Sequence, residues 1–479
     1  MSAVKSLLAA SFAFGFISMV GCSDDDNDTP PDTSPPAISN LSHADNEKII
    51  GNRTITFTAD VTDDVGATVT ITHNGNPVSV TPGGNTYTAS ITLGDRTNNT
   101  VVVSASDADN TSTETLTLNY PFLAFTNGQA ASVVIGQPNL ESIGYNQGLG
   151  TGPNTIGNGG GVAVIGNQLF ISDNGNERVL GYYSIPTDNN ADADFVIGQN
   201  NFTDNAPDFT NTTLASPSSV TYDNNHFFIL NGYSDRRANH WGLVPQDNSV
   251  PADFVIGQDD FGTGVTTCAR NILRSGNSIV AAGGKFIAGA SNRVMIWTTI
   301  PTASGANADL VLGQQTFTNC SGNAQGAPTA NTLRGSQYVW SDGTRLVVSD
   351  AGNDRVLIWN TFPTSNAQVP DLVLGQANFA SAVSPTPTAI SFSPGEITSN
   401  GNQLFIADKA SDRVLIWDSW PTTDNQPADR VLGAKNLVGD ITDLTNASLF
   451  PNADGLAVAD SQLLLMDSNN SRVLVFNAP

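Results

Sequence analysis

Six arginines spaced 56 to 62 residues apart are each followed four residues later by an aromatic, as Arg178/Tyr182, Arg237/Trp241, Arg293/Trp297, Arg355/Trp359, Arg413/Trp417 and Arg472/Phe476. A glycine stands 20 residues beyond each of the first five arginines, at Gly198, Gly257, Gly313, Gly375 and Gly433. Gly136 opens the series and has no such arginine before it. A fixed internal period marks a repeat architecture, in which each unit buries its apolar faces against its neighbours.

The units read as strands. In the fifth, Gln403–Asp408, Arg413–Trp417 and Arg430–Gly433 are short, nearly continuous apolar runs, and a weaker strand precedes each such group. Runs of that kind belong to strands buried on both faces. Four strands per unit, stacked around an axis, make a β-propeller blade; we name them a to d from the inside outward. The segment Ser132–Gly136 is a strand d with no a, b or c before it, whereas the last unit has a (455–458), b (463–466) and c (472–476) but no d. The two orphans make one sheet. The expectation is an all-β chain: a six-bladed propeller over 122–479, closed by a 3+1 strand exchange that hides edge strands.

Two stretches, Ile171-Ser172-Asp173-Asn174-Gly175-Asn176-Glu177-Arg178-Val179 and Val348-Ser349-Asp350-Ala351-Gly352-Asn353-Asp354-Arg355-Val356, resemble the junction of the second and third strands in NHL repeats. Residues 37–120 alternate polar and apolar in about seven short runs, the pattern of a β-sandwich. The phrases Val61–Gly66 and Ser104–Asn110 are similar to those of bacterial Ig-like domains, which implies a spacer.

The amino end is a targeting segment. Lys5 precedes an apolar stretch, Ser6 to Val20, too short to span a membrane as a mature helix. Met19-Val20-Gly21-Cys22 resembles the lipobox of bacterial lipoproteins, which implies cleavage after residue 21 and acylation of Cys22. An acidic, proline-rich tether, 22–36, follows, and Ser23 after the cysteine implies the outer membrane, facing either the periplasm or the outside. The remaining pair, Cys268 and Cys320, suits a disulfide in an oxidising compartment. A net charge of −25, carried by 44 acidic against 19 basic residues, disfavours nucleic acid and anionic membrane surfaces.

The distance from each glycine to the next arginine varies between 36 and 42 residues, so length variation falls before strand c, mostly in the d-to-a connections. In propellers these share a face with the b-to-c turns, and variable loops on a rigid scaffold are where binding resides. The Asp/Arg pairs Asp173/Arg178, Asp350/Arg355, Asp408/Arg413 and Asp467/Arg472 are expected to be structural, since one catalytic group would not be needed four times. Arg237 and Arg293 have Gly232 and Ala288 five residues before them instead. The second unit also abandons the apolar c-strand pattern, so Tyr233, Asp235, Arg236 and Asn239 are binding candidates.

No GxSxG, HExxH or phosphate-binding loop occurs, and only His226 and His240 lie in the repeat, which argues against the zinc-dependent lyases that share NHL-type propellers. No cofactor is expected; calcium stays open and unassigned. The chain reads as a monomeric, non-catalytic binding or scaffold lipoprotein that engages a protein or glycan. The alternative is a lyase or hydrolase with a polar, calcium-dependent or metal-free site at the mouth of the central channel.

Overall fold

Six four-stranded antiparallel sheets follow one another between Val133 and Asn477 in a computed structural model of the chain. It describes residues 33–479 apart from 51–52, 65, 95, 233–235, 248–249, 263, 336, 385, 440 and 442–443. Among the described residues the protein is nearly all β, its helices being short 3-10 turns. None of them is long and apolar enough to cross a membrane.

Sheet one is Val162–Ile165, Gln168–Asp173, Arg178–Tyr182 and Phe195–Ile197, in that order. Sheets two to five repeat it, ending with Pro394–Ser399, Leu404–Asp408, Arg413–Trp417 and Arg430–Leu432. In sheet six, Ala453–Ala459, Gln462–Asp467 and Arg472–Asn477 take their fourth strand from Val133–Ile135, with Val134 opposite Leu474. Each strand a touches the strand a of the next sheet, and that of sheet six touches that of sheet one. The arrangement is propeller-like, with the apolar core lying between neighbouring sheets. Leu180 and Tyr182 of sheet one, for example, pack with Met466 and Val473 of sheet six.

The repeated residues are fasteners. Each of the six arginines is buried; in five of them the Nη groups donate to carbonyls of the preceding connection and of the strand-d exit, and Arg237 Nη1 donates to Phe261 O at the strand-d exit. Arg178, Arg355, Arg413 and Arg472 also donate from Nε to the paired aspartate at 2.7–2.8 Å. The tryptophans at 241, 297, 359 and 417 donate from Nε1 to a carbonyl nine residues on, which holds the c–d hairpin at constant length. The repeated glycine sits at φ 81–92°, where a Cβ is strained. A Cβ on Gly198 would also lie 2.5 Å from Leu214. The following glutamine ties two loop carbonyls, as Gln376 does with Asp354 and Val383.

A second beat carries the same message. The aspartate 16 residues after each of the first five arginines, such as Asp371 after Arg355, accepts the amide at the end of strand c. Part of the aspartate excess is therefore hairpin chemistry.

In sheet two the carboxylate position is occupied by Asn231, not Gly232. Asn231 pairs with Arg237 in the ladder and accepts the Ala215 amide at 2.7 Å, because the b–c turn is one residue longer there. In sheet three the turn is two residues shorter than in sheet one, and Ala290, not Ala288, faces Arg293. Counting a fixed five residues back misses both changes.

Ahead of the ring, nine strands form two sheets over one core that includes Phe57, Ile71, Ile91, Val101 and Leu118. Glu47–Lys48, Asn76–Val78 and Val80–Gly83 raise the strand number above the expected seven; each is too short for alternation to reveal. This unit meets the ring at the a–b turn of sheet five. Asn402 Nδ2 donates to Ile49 O and Pro121 O at 3.1 and 3.3 Å, and Gln403 Nε2 donates to Leu123 O at 3.1 Å. The b–c face, with the variable connections, points the other way.

Candidate functional site

The six strands a enclose a channel of about 430 Å³, lined largely by small and aliphatic residues of 161–166, 218–222, 278–280 and 455–458. Its walls are regular in sheets one to four. In sheets five and six the a–b register shifts, between Pro394 and Ile397 and between Ala453 and Gly455. A bulge inserts a residue and re-aims its side chain. Glu396 and Asp454 lie in these two bulges, near the b–c end of the channel.

Lys409, directly after strand b of sheet five, completes the group. Its Nζ pairs with Asp454 and lies 3.3 Å from the Tyr338 hydroxyl, and it also sits over the Tyr338 ring. Asp454 Oδ2 accepts Asn452 Nδ2 at 2.6 Å and the Ser468 hydroxyl. Gly395 makes room for the lysine stem, since a Cβ there would lie 2.6 Å from Lys409 Cγ and Cδ. Burial pushes the Glu396 carboxyl up to about 8, against the pull of the Ile397 amide and Lys409. Burial opposes the Lys409 charge, but Tyr338 and Asp454 outweigh it and raise its ionisation above the usual lysine range. Burial raises the Tyr338 phenol as well, with Lys409 opposing. Glu396 thus lines the channel as a protonatable carboxyl, with an ammonium–carboxylate pair and a phenol nearby.

None of these four was singled out from the sequence. Two signals were available: Lys409 stands where the other Asp-headed turns carry Asn174, Ala351 and Ser468, and Glu396 is one of five glutamates in the chain. The bulges that bring them together have no sequence mark.

Of the candidates in the second unit, Tyr233 and Asp235 lie outside the described residues. Arg236 Nη1 donates to Ser218 Oγ at 2.7 Å, beside the channel. Asn239 corrects the expectation: it is 1% exposed and shares a strand face with Trp241, in the core between sheets one and two, so it presents nothing to a ligand. His240 follows it, with Nε2 2.9 Å from His226 Nδ1 and Nδ1 3.2 Å from Asp253, and burial and His226 push it down to about 4. Cys268 and Cys320 are joined as a disulfide with Cα atoms 6.1 Å apart. Cys22 lies outside the described residues. Among the described residues no group of three His, Cys, Asp or Glu side chains is placed to hold a metal.

On the same face an apolar cleft of about 490 Å³ opens between sheets five and six, lined by Ile143, Val438, Ile441, Phe450 and Pro451. In sheets one, four and five an amide donates to Oδ1 of the paired aspartate: Gly157 to Asp173, Arg334 to Asp350 and Ser393 to Asp408. Sheet six has the register of sheet five, with Ala453 opposite Asp467 as Pro394 is opposite Asp408, so Asn452 stands where Ser393 does, yet Asp467 Oδ1 has no partner among the described residues.

Burial pushes Asp467 up to about 6, with Arg472 and Asn470 opposing. A carboxyl raised in the folded state contributes stability in its protonated form; that contribution is complete below the ordinary 3.8 and lost as pH rises through about 6.

The nearly all-β, propeller-like architecture with a polar channel mouth defines the class of this protein. No family model matches the chain, and no curated protein matches it. Among solved structures it is similar to an auxiliary nutrient binding protein from Bacteroides thetaiotaomicron, at 10% identity over 93% of this chain and 99% of that one, with a TM-score of 0.42. It is also similar to the PQQ-bound aldose sugar dehydrogenase from Streptomyces coelicolor, at 13% identity over 68% and 96%, with a TM-score of 0.41. Titin domain M3 is similar at 16% identity, over 18% of this chain and 95% of that domain, with a TM-score of 0.16. Similarities at this level carry no argument about what this chain binds.

Proposed function

We propose that the chain is an envelope-anchored, non-catalytic binding lipoprotein. In this reading residues 1–21 are the signal, Cys22 carries the lipid in the outer membrane, 22–36 is the tether, 37–120 an Ig-like spacer and 122–479 a six-bladed NHL-like propeller. A protein or glycan is engaged on the b–c face, at the channel mouth. The observation that carries the reading is the pair of bulges that turns Glu396 and Asp454 towards Lys409 and Tyr338 in an otherwise regular wall. The spacer meets the opposite face, which leaves the b–c face directed away from the anchor.

The test is capture on glycan arrays and from envelope extracts by the chain from residue 23, compared with Lys409→Met and Tyr338→Phe. Both variants should keep the wild-type melting temperature within about 2 °C, because Lys409 is part-exposed and Tyr338→Phe removes only a hydroxyl from an otherwise unchanged buried ring. Capture should fall at least tenfold, as expected when one member of a hydrogen-bonded charged set is lost. Unchanged capture by both would remove the channel mouth from the function. For the anchor, cells fed labelled palmitate should tag the wild type, and Cys22→Ala should be untagged and released from membranes. A variant that stays membrane-bound would refute the lipid anchor.

A second reading has its own observation. A carboxyl pushed up to about 8 beside an ammonium and a phenol is an acid–base set. Turnover of a lactone or ester panel that Glu396→Gln abolishes would favour the hydrolase or lyase.

A further inference from the structure

Sheets one, four, five and six each set a buried carboxylate against the arginine that opens strand c, and sheet two sets Asn231 there. In sheet three a methyl group takes that place, because Ala290 pairs with Arg293 across the ladder. Arg293 is 0% exposed. Its Nη1 donates to Phe317 O at 2.5 Å, and its Nη2 donates to Ile272 O and Ala269 O at 2.9 and 3.3 Å. Its Nε has no partner among the described residues. Carbonyls satisfy donors but supply no countercharge, and a buried charge needs one.

The surroundings add positive charge. Arg274 lies close enough to lower the Arg293 ionisation further, after burial itself. Arg274 Nη1 rests 3.4 Å from Cys320 Sγ and 3.8 Å from Cys268 Sγ, so the disulfide pins it beside this site. Neither arginine forms an ion pair among the described residues, in a chain that carries 44 acidic side chains. A second donor is also in register. The amide 16 residues before the paired side chain donates to it in sheets one, two and four, from Gly157, Ala215 and Arg334. Sixteen residues before Ala290 is Arg274, whose own amide makes no hydrogen bond among the described residues.

We propose that sheet three binds a monovalent anion of chloride size where the other sheets carry a carboxylate, with Arg293 Nε–H and the Arg274 amide as donors and the Arg274 guanidinium as the second charge. The anion completes a structural fastener under the b–c face and is independent of the ligand at the channel mouth.

The probe is bromide. Crystals of the chain from residue 23 grown in sodium bromide should show an anomalous peak within hydrogen-bonding reach of Arg293 Nε. In solution, replacing sodium gluconate by sodium chloride at constant ionic strength should raise the melting temperature by about 2 °C, saturating as a single site does. Arg274→Ala, at an exposed position, should fold and shift that saturation to at least fivefold higher chloride. A bromide-containing crystal with surface peaks but none at Arg293, or an identical chloride response in wild type and Arg274→Ala, overturns the site.

Discussion

Replacing Val133–Ile135 by Gly-Ser-Gly in the full chain should abolish cooperative unfolding and drive the protein into aggregates. These three residues are the fourth strand of sheet six, and they are 6%, 0% and 0% exposed. Two of them pack with Leu464, Met466 and Val475 in the core between sheets six and one, and Val134 packs on the other side with Leu465 and Leu474. Truncating a buried aliphatic side chain costs about 2–4 kcal/mol, so three together reach the 5–15 kcal/mol that holds a typical domain. The change also uncovers the edge of strand c in sheet six, and an unpaired edge is a template for aggregation. Size-exclusion chromatography and urea unfolding followed by circular dichroism provide the readouts. A synthetic peptide spanning 127–140, added during refolding, should restore part of the soluble species. A variant that elutes and melts like the wild type would mean that the ring does not depend on its borrowed strand.

Asp350→Ala should be the most damaging single substitution in the repeat, at about 3–5 kcal/mol. Asp350 and Arg355 are both 0% exposed. The carboxylate accepts Arg355 Nε and Asn353 Nδ2 at 2.7 Å each and the Arg334 amide at 2.8 Å. Burial raises the Asp350 carboxyl, while Arg355 and those donors oppose the rise. Removing it strands a buried guanidinium and two further donors. The Asp350→Ala/Arg355→Met double variant should recover part of the loss, because no unpaired charge then remains inside. A urea midpoint for Asp350→Ala within the error of wild type would reduce the repeated pair to decoration.

Sheet three shows why such a pair is not read off one sheet at a time. It keeps the arginine and loses the acid, with a turn shortened to Ser291-Asn292. Along the chain this looks like a decayed repeat; in the ladder it leaves a buried charge at a defined place. Asn231 is the converse case, since it appears out of step along the chain and falls into step once the ladder aligns it with Arg237.

Sequence spacing determined the parts of this protein that depend on contacts every unit must make. Arg, aromatic and glycine recur at fixed intervals because one hairpin geometry is built again and again, and the orphan strand around Val134 follows from the same count. Only the tertiary structure decided the site. Glu396, Lys409, Asp454 and Tyr338 come from three different sheets and meet because two strands bulge where they enter the channel. A bulge is one residue of slack taken up by the backbone, and it leaves no periodic trace. Asn239 failed as a surface candidate for a related reason: a broken pattern reports that a strand is irregular, whereas burial is set by the sheet packed against it. Repetition is a local constraint and is written locally; convergence on the axis is a property of the closed ring.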